Sequence, residues 1–104
     1  MAISNLKKPR ESDIEAYLRE KVRAVLHGKA YKWVSPGNNG VPDRMVCLPG
    51  GRVVFAELKA PGKQPRPEQA AKHRELRALG FRVEVLDSKA AVDAFIEELR
   101  GTQP

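Results

Sequence analysis

The stretch Val53-Val54-Phe55-Ala56-Glu57-Leu58-Lys59 constrains the fold most strongly, because only two of its seven residues are not apolar. Side chains alternate along a strand, so Glu57 and Lys59 would point to the same face. The remaining residues make both faces apolar, which is typical of an inner strand covered on both sides. Charged groups there are costly unless they are paired, hydrogen-bonded or bound to a metal. We therefore expect these two charges to serve a function.

Hydrophobic periodicity and breaker residues predict three helices. The first helix covers 12–27, since Ser12 and Glu15 have capping-box spacing and Gly28 follows as a stop. The second begins at Pro67 and ends at Leu79, before Gly80. The third follows a cap at Asp87 or Ser88.

Four short strands are predicted between these helices, and the second and third form a hairpin around the turn Pro49-Gly50-Gly51. The third and fourth strands flank a helix, which indicates a parallel crossover. The chain is therefore predicted to be an α/β domain of order α-β-β-β-α-β-α, with a mixed four-stranded sheet flanked by helices. The strands are expected at 31–34, 44–48, 52–59 and 81–86, and the loops at 35–42 and 60–66.

A length of 104 residues suits one small domain. We expect a flexible basic arm over 1–11, a single domain over 12–100 and a flexible tail over 101–104. The formal charge of +6 favours an anionic partner, nucleic acid first, although a solubilising surface charge is the alternative.

The composition also excludes several classes. A single cysteine, Cys47, allows no internal disulfide, and with two histidines it cannot form a structural zinc site. No apolar run is long enough to span a bilayer, and the first residues lack the apolar core of a signal peptide. We expect an intracellular, cytoplasmic protein with no membrane partner.

Asp43 follows the turn Gly40-Val41-Pro42 and begins the second strand. Pairing across the hairpin brings it toward Glu57 and Lys59. Mg²⁺ prefers oxygen ligands, which Asp43, Glu57 and the carbonyl of Leu58 would supply, while Lys59 would orient a water or stabilise the transition state. The alternative is a surface ion pair on an edge strand.

These residues resemble the motifs of the PD-(D/E)XK nuclease superfamily, here Pro42-Asp43 and Glu57-Leu58-Lys59. The two motifs are followed in order by Gln69 and Gly80-Phe81-Arg82-Val83. More narrowly, this ordered set, within a match over about 12–99, is similar to the virus-type replication-repair nuclease (VRR-NUC) family. The resemblance implies a restriction-endonuclease-like core and cleavage of DNA with Mg²⁺ or Mn²⁺. It also implies similarity to Holliday-junction resolvases of phages and bacteria, which act as homodimers. If the chain is phage-encoded, the host cytoplasm is the expected location.

The resemblance implies a further acid from the first helix, and Glu15 is the candidate metal ligand. Its competing role is the capping box with Ser12. Glu20 and Asp13 are weaker substitutes.

Gln69 shares the inward face of the second helix with His73, Leu76 and Leu79. A buried amide needs a partner, so Gln69 is predicted to bind the metal-bound water, Lys59 or a phosphate. His73 is interpreted as a satisfied core or surface histidine rather than a general base.

Basic and amide side chains near the predicted site are candidates for phosphate contacts. A simple solvated surface is the alternative for the helix residues, and turn chemistry is the alternative for the asparagines. The candidates for nucleic-acid binding are Lys32, Asn38, Asn39, Lys63 and Arg66, with Lys72, Arg74 and Arg77 less favoured.

The leading function is a metal-dependent endodeoxyribonuclease, selective for branched or structured DNA. A non-catalytic nucleic-acid-binding module of the same fold is the alternative, and a basic partner-binding protein without DNA affinity is the third possibility.

Overall fold

A computed structural model describes residues 9–103 and confirms the predicted order of three helices and four strands. Each predicted element is present, with boundaries that differ by one to two residues at most ends. In chain order the elements are α1 (Glu11–Leu26), β1 (Lys29–Lys32), β2 (Arg44–Leu48), β3 (Arg52–Leu58), α2 (Pro67–Ala78), β4 (Val83–Leu86) and α3 (Lys89–Gly101).

The four strands form one mixed sheet in the order β1-β2-β3-β4. The first three strands are antiparallel, and β4 runs parallel to β3 after the crossover through α2. In the central hairpin Arg44 lies opposite Ala56, and the next pair of strands aligns Leu58 with Leu86. This register places the start of β2 beside the end of β3, as the hairpin predicts.

Two strands differ from their predicted positions. β1 starts and ends two residues earlier, because Lys29 pairs with Cys47 and Lys32 already reaches Arg44, the first residue of β2. β4 starts later than predicted, because the backbone N–H of Phe81 still donates to the carbonyl of Leu76 at the end of α2. The first boundary is set by pairing with β2 and the second by the end of the preceding helix, and neither follows from local alternation.

The capping box predicted from Ser12 and Glu15 is wrong. α1 begins at Glu11, so Ser12 lies inside its first turn. The carboxylate of Asp13 instead accepts the backbone N–H of Arg10 at 2.8 Å, which satisfies the start of the helix. The side chain of Glu15 is therefore available for another role.

Helices α1 and α3 cover one face of the sheet and form the main core. Every second residue of the central strands points toward them, as strand alternation requires. Residues of α1 in this core, such as Leu18 and Val22, have no exposed surface. The core consists of Ile14, Leu18, Val22, Leu26, Ala30, Val46, Leu48, Val54, Ala56, Leu58, Leu86, Val92, Phe95, Ile96 and Leu99.

Helix α2 covers the other face with a smaller apolar cluster of Phe55, Leu76 and Val83. Trp33 stacks on Phe55 with ring centroids 4.8 Å apart. The prediction that Leu79 faces inward is wrong, since it is 69% exposed; α2 ends at Ala78, so Leu79 lies beyond its last turn. Glu57 lies on the α2 face, because side chains alternate along β3 and the next residue, Leu58, points to the core under α1 and α3.

The ends of the chain are described only in part. Residues 1–8, most of the predicted arm, and Pro104 lie outside the described residues. In the predicted tail, Gly101 ends α3, and the side chain of Gln103 donates to the carbonyl of Leu26 at 2.9 Å. Between residues 9 and 103 there is no helix with the length and apolar character needed to cross a membrane.

Candidate active site

The loop before β2 delivers Asp43 to the end of β3 by a close backbone approach. Gly40 has φ of 88°, and a Cβ there would lie 2.5 Å from the carbonyl oxygen of Glu68 in α2. Only glycine fits this contact, because both the positive φ and the lack of space exclude a side chain. Pro42 is fully buried beside it. The loop is thus packed against the start of α2, and Asp43 leaves it in a fixed position.

At the end of the hairpin, the carboxylate of Asp43 replaces a backbone carbonyl as the acceptor for the N–H of Leu58. Its Oδ2 accepts the backbone N–H of Leu58 at 2.8 Å, while its carbonyl accepts the N–H of Trp33 at 2.9 Å. A strand residue directs its N–H and C=O to the same neighbouring strand, so the carbonyl of Leu58 is also directed to the side of Asp43. The predicted convergence of Asp43 with Leu58 is therefore present.

Glu57 is buried, with 1% of its surface exposed. Its Oε2 accepts a hydrogen bond from Nε2 of Gln69 at 2.9 Å. The ammonium of Lys59 lies 3.6 Å from the same oxygen. The predicted placement of Glu57 and Lys59 on one face is thus observed, and Gln69 from α2 joins them.

Gln69 connects the start of α2 to the charged pair. Its Oε1 accepts from Nζ of Lys59 at 2.8 Å and from the backbone N–H of Arg66 at 2.9 Å. The second bond satisfies a donor at the start of the helix, where intrahelical acceptors are lacking. One side chain therefore caps α2 and holds both Glu57 and Lys59, in agreement with the prediction that Gln69 needs a polar partner.

Two buried polar atoms face each other behind this network. Within residues 9–103, Glu57 Oε1 and His73 Nε2 are the buried side-chain nitrogen and oxygen atoms that have no hydrogen-bond partner. They are 3.7 Å apart. His73 is a core histidine, as one of the two interpretations held, but it is not fully satisfied, because its Nε2 makes no hydrogen bond with the described residues.

The electrostatics of the site act on the protonation of both groups. Burial, together with the nearby charge of Asp43, raises the pKa of Glu57 to about 7, although the Lys59 ammonium opposes this shift. Burial lowers the pKa of His73, and the positive charges of Arg77 and Lys59 lower it further. A buried carboxylate beside a second carboxylate is an arrangement that a cation would relieve.

Glu15 does not join this cluster. It forms a salt bridge with Arg44, whose Nη2 lies 2.7 Å from Glu15 Oε2. Arg44 lies opposite Ala56, a residue of the core under α1 and α3, so its side chain points to that face and away from Glu57.

Glu11, which the sequence analysis did not single out, is an acid of α1 whose charge has an effect on Glu57. Its charge makes a minor contribution to the raised pKa of Glu57. An acidic residue at the very start of a helix was the available signal, but it is also common as a favourable partner of the helix dipole.

The candidate nucleic-acid contacts lie on segments next to the site. Lys32, Asn38, Asn39 and Lys63 are exposed, and Lys32 ends β1 one residue before the contact of Trp33 with Asp43. Two of the candidates have local partners: Asn38 donates to the hydroxyl of Ser35, and Arg66 pairs with Glu68 at 2.8 Å. Of the helix residues, Arg77 donates to the carbonyl of Val83 at 2.7 Å and Lys72 pairs with Glu75.

The site thus combines hard oxygen donors with a lysine and an amide at the open end of the central hairpin. Among the described residues, no three His, Cys, Asp or Glu side chains are grouped so that they could hold a metal by themselves. Any cation would need main-chain or water oxygens as well, which is usual for Mg²⁺.

This fold and site define a nuclease-type α/β domain, and comparison with known proteins gives the family. No family model matches the sequence. The chain is 54% identical over 80 residues to a protein described as "Putative nuclease p44" of Acyrthosiphon pisum secondary endosymbiont phage 1; the match covers 77% of this chain and 85% of that one. A solved structure described as "VRR_NUC domain" superposes with a TM-score of 0.78 at 35% identity, covering 84% of this chain and 94% of that one.

The chain belongs to the VRR-NUC family of nucleases. The family and fold predicted from the ordered set of motifs, which runs from Pro42-Asp43 through Gln69 to Gly80-Phe81-Arg82-Val83, are therefore confirmed.

Proposed function

We propose that this nuclease is a metal-dependent endodeoxyribonuclease that hydrolyses phosphodiester bonds at the site formed by Asp43, Glu57, Lys59 and Gln69. One observation carries the proposal: Glu57 Oε1 is buried without a hydrogen-bond partner next to the charge of Asp43. A buried carboxylate is retained at this energetic cost only if something compensates it in the working state. A divalent cation shared with Asp43 would do so.

The residues present suit Mg²⁺ or Mn²⁺. Asp43 and Glu57 provide carboxylate oxygens, and the carbonyl of Leu58 is directed toward the same side. Hard divalent cations prefer such oxygen donors, completed by water and substrate oxygens. Glu15 would first have to release Arg44 before its carboxylate could reach a cation.

When bound, the metal would lower the pKa of a water and stabilise charge on the phosphate. The protein side chains prepare the rest of the site. Lys59 is held by Gln69 Oε1 at 2.8 Å and is 13% exposed, so its ammonium is fixed at the edge of solvent, where a phosphate can approach. Its charge would stabilise the additional negative charge of the transition state.

The test is cleavage of labelled DNA with Mg²⁺ or Mn²⁺ by Asp43→Ala, Glu57→Ala and Lys59→Ala. Each substitution should abolish cleavage and leave the fold and DNA binding largely intact. Glu97→Ala and Lys89→Ala, exposed residues of the same types in α3, are the matched controls and should cleave as wild type. Full activity of Glu57→Ala would disprove the metal mechanism. DNA binding without cleavage by the wild type would favour the binding-module alternative.

We further propose a substrate of branched or structured DNA and a homodimer that presents two sites to two strands. A further protein contact is supported by large apolar side chains that remain 40–69% exposed, namely Tyr31, Val34, Leu79 and Phe81.

We propose that exposed basic and amide side chains next to the site contact the DNA backbone. They are Lys32, Asn38, Asn39, Lys63 and Arg66. The expected location is the cytoplasm, of the host if a phage encodes the chain.

A panel of a four-way junction, a flap, a splayed arm, a duplex and a single strand tests this preference. Paired symmetric nicks on the junction, from a species of dimer mass, would support resolvase activity. Nicking of flaps alone would point to repair-type incision instead.

A further inference from the structure

We infer that His73 is a positioning residue, which donates a hydrogen bond from Nε2 to Glu57 Oε1 and so holds the carboxylate in the orientation that binds the cation. This inference rests on the proposed metal-dependent function and extends it to a residue of α2 that lies behind the site.

Glu57 Oε1 and His73 Nε2 are placed so that a small shift would join them by a hydrogen bond. Both are buried, neither has another partner within residues 9–103, and they are 3.7 Å apart. A hydrogen bond between nitrogen and oxygen is about 3 Å long, so a movement of less than about 1 Å would form it. Leaving both atoms unsatisfied costs free energy, which favours that movement.

Charged groups of both signs surround His73. Glu57, 3.7 Å away, and Asp43 are negative, and Lys59 and Arg77 are positive. Imidazole has one N–H donor when neutral and two when protonated, so Nε2 can donate in either form. A donor at Nε2 is the tautomer that matches a carboxylate oxygen.

The expected consequence is control of how Glu57 presents its oxygens. Gln69 and Lys59 hold Oε2, so a bond from His73 to Oε1 fixes rotation of the whole carboxylate. Each carboxylate oxygen accepts more than one hydrogen bond or metal contact, so this clamp leaves capacity for the cation. Groups that orient metal ligands in this way typically change metal affinity by about 10- to 100-fold.

Three substitutions at His73 separate this role from simple packing. His73→Gln places an amide N–H the same number of bonds from the backbone as Nε2 and does not titrate. His73→Asn places its amide nearer the backbone, at the position of Nδ1, and His73→Leu keeps bulk without a donor. His27→Asn is the matched control, because His27 ends α1 at φ of 57°, where asparagine is tolerated.

The first readout is Mn²⁺ affinity, measured by calorimetry on the DNA-free protein. We expect His73→Leu and His73→Asn to weaken binding by about 10- to 100-fold, and His73→Gln to recover most of that loss. His27→Asn should bind as wild type. Wild-type affinity in His73→Leu would overturn the inference, and so would equal losses in His73→Gln and His73→Leu when both are folded.

The second readout does not depend on cleavage or metal. The chain has two histidines, so their ring nitrogens can be assigned by ¹⁵N NMR with His27→Asn. We expect His73 to be the Nε2–H tautomer, with a resonance that shifts in Glu57→Ala. An Nδ1–H tautomer would overturn the inference even if the nuclease is metal-dependent. A wild type that neither binds Mn²⁺ nor cleaves DNA would refute the proposed function, and with it the role of this clamp in metal binding.

Discussion

The two faces of the sheet differ in what they bury. The face under α1 and α3 is closed by apolar side chains, and residues such as Leu18 and Leu99 have no exposed surface. The face under α2 holds only a small apolar cluster, and beside it lie the buried polar groups Glu57, Gln69 and His73. One face therefore supplies stability, while the other gives up part of its apolar burial to hold a charged site.

The same strand, β3, contributes side chains to both faces of the sheet. β3 alternates between Val54, Ala56 and Leu58 on the closed face and Phe55 and Glu57 on the α2 face. The closed face fixes the strand, so the backbone that carries Glu57 does not depend on the polar contacts. Substitutions on the two faces should accordingly separate stability from activity.

The largest expected effect is on cleavage in Glu57→Gln. This change keeps the shape of the side chain and removes its charge, so DNA cleavage should fall by about 1000-fold, equivalent to about 4 kcal/mol of activation free energy. Removing a buried charge should leave the melting temperature of the metal-free protein unchanged or higher. Assays of cleavage and thermal unfolding on the same sample check both statements; a clear loss of stability would contradict the division between the faces.

Leu18→Ala tests the closed face in the opposite sense. Deleting a fully buried leucine side chain should lower the free energy of unfolding by about 3 kcal/mol. Cleavage per folded molecule should not change, because Leu18 contacts only the apolar core. Denaturant titration and cleavage at a temperature where the variant is folded measure the two quantities, with exposed Ala24→Gly as a control for helix propensity alone.

The pH dependence of stability should reveal Glu57 directly. Its pKa of about 7 in the folded chain lies above the ordinary glutamate value of 4.5, so the folded state holds this proton more tightly than the unfolded chain. The associated stability is fully present below about pH 4.5 and is lost as the pH rises toward 7, by on the order of 2 to 3 kcal/mol. Denaturant titrations without metal should show this slope in wild type and not in Glu57→Gln; parallel curves would contradict it.

The smallest effect is expected for Gln69→Leu. The substitution removes the acceptor for the backbone N–H of Arg66, so the protein should lose about 1 kcal/mol of stability. Cleavage should also fall, since Lys59 loses its 2.8 Å partner. Exposed Glu68→Ala, one residue earlier, is the control and should change stability by less than about 0.5 kcal/mol. Unchanged cleavage in Gln69→Leu would show that Lys59 does not need this support.

The fold and the centre of the site could be predicted because they follow from local signals. Apolar periodicity set the order of elements, and the turn at 49–51 fixed the hairpin that brings Asp43 beside the end of β3. Alternation along β3 placed Glu57 and Lys59 on one face, and helical spacing turned Gln69 toward them. Each of these inferences uses only residues that are close in sequence, within one helix or one hairpin.

The errors arose where a distant partner decides the structure. Ser12 and Glu15 have the right spacing for a cap, but α1 starts one residue earlier and Arg44, from β2, takes Glu15. The effect of the Glu11 charge on Glu57 depends on how α1 packs across the sheet, which no local pattern specifies. The unsatisfied Nε2 of His73 depends in the same way on the rotation of α2 over β3.

The central claim is that Glu57 is a buried carboxylate prepared for a divalent cation. Its most direct test is calorimetric titration of the metal-free protein with Mn²⁺ at pH 7 in two buffers of different ionisation enthalpy. Because the pKa of Glu57 is about 7, binding should release a fraction of a proton per site, and Glu57→Gln should lose both the proton release and most of the affinity. Equal affinity and equal proton release in wild type and Glu57→Gln would contradict the claim.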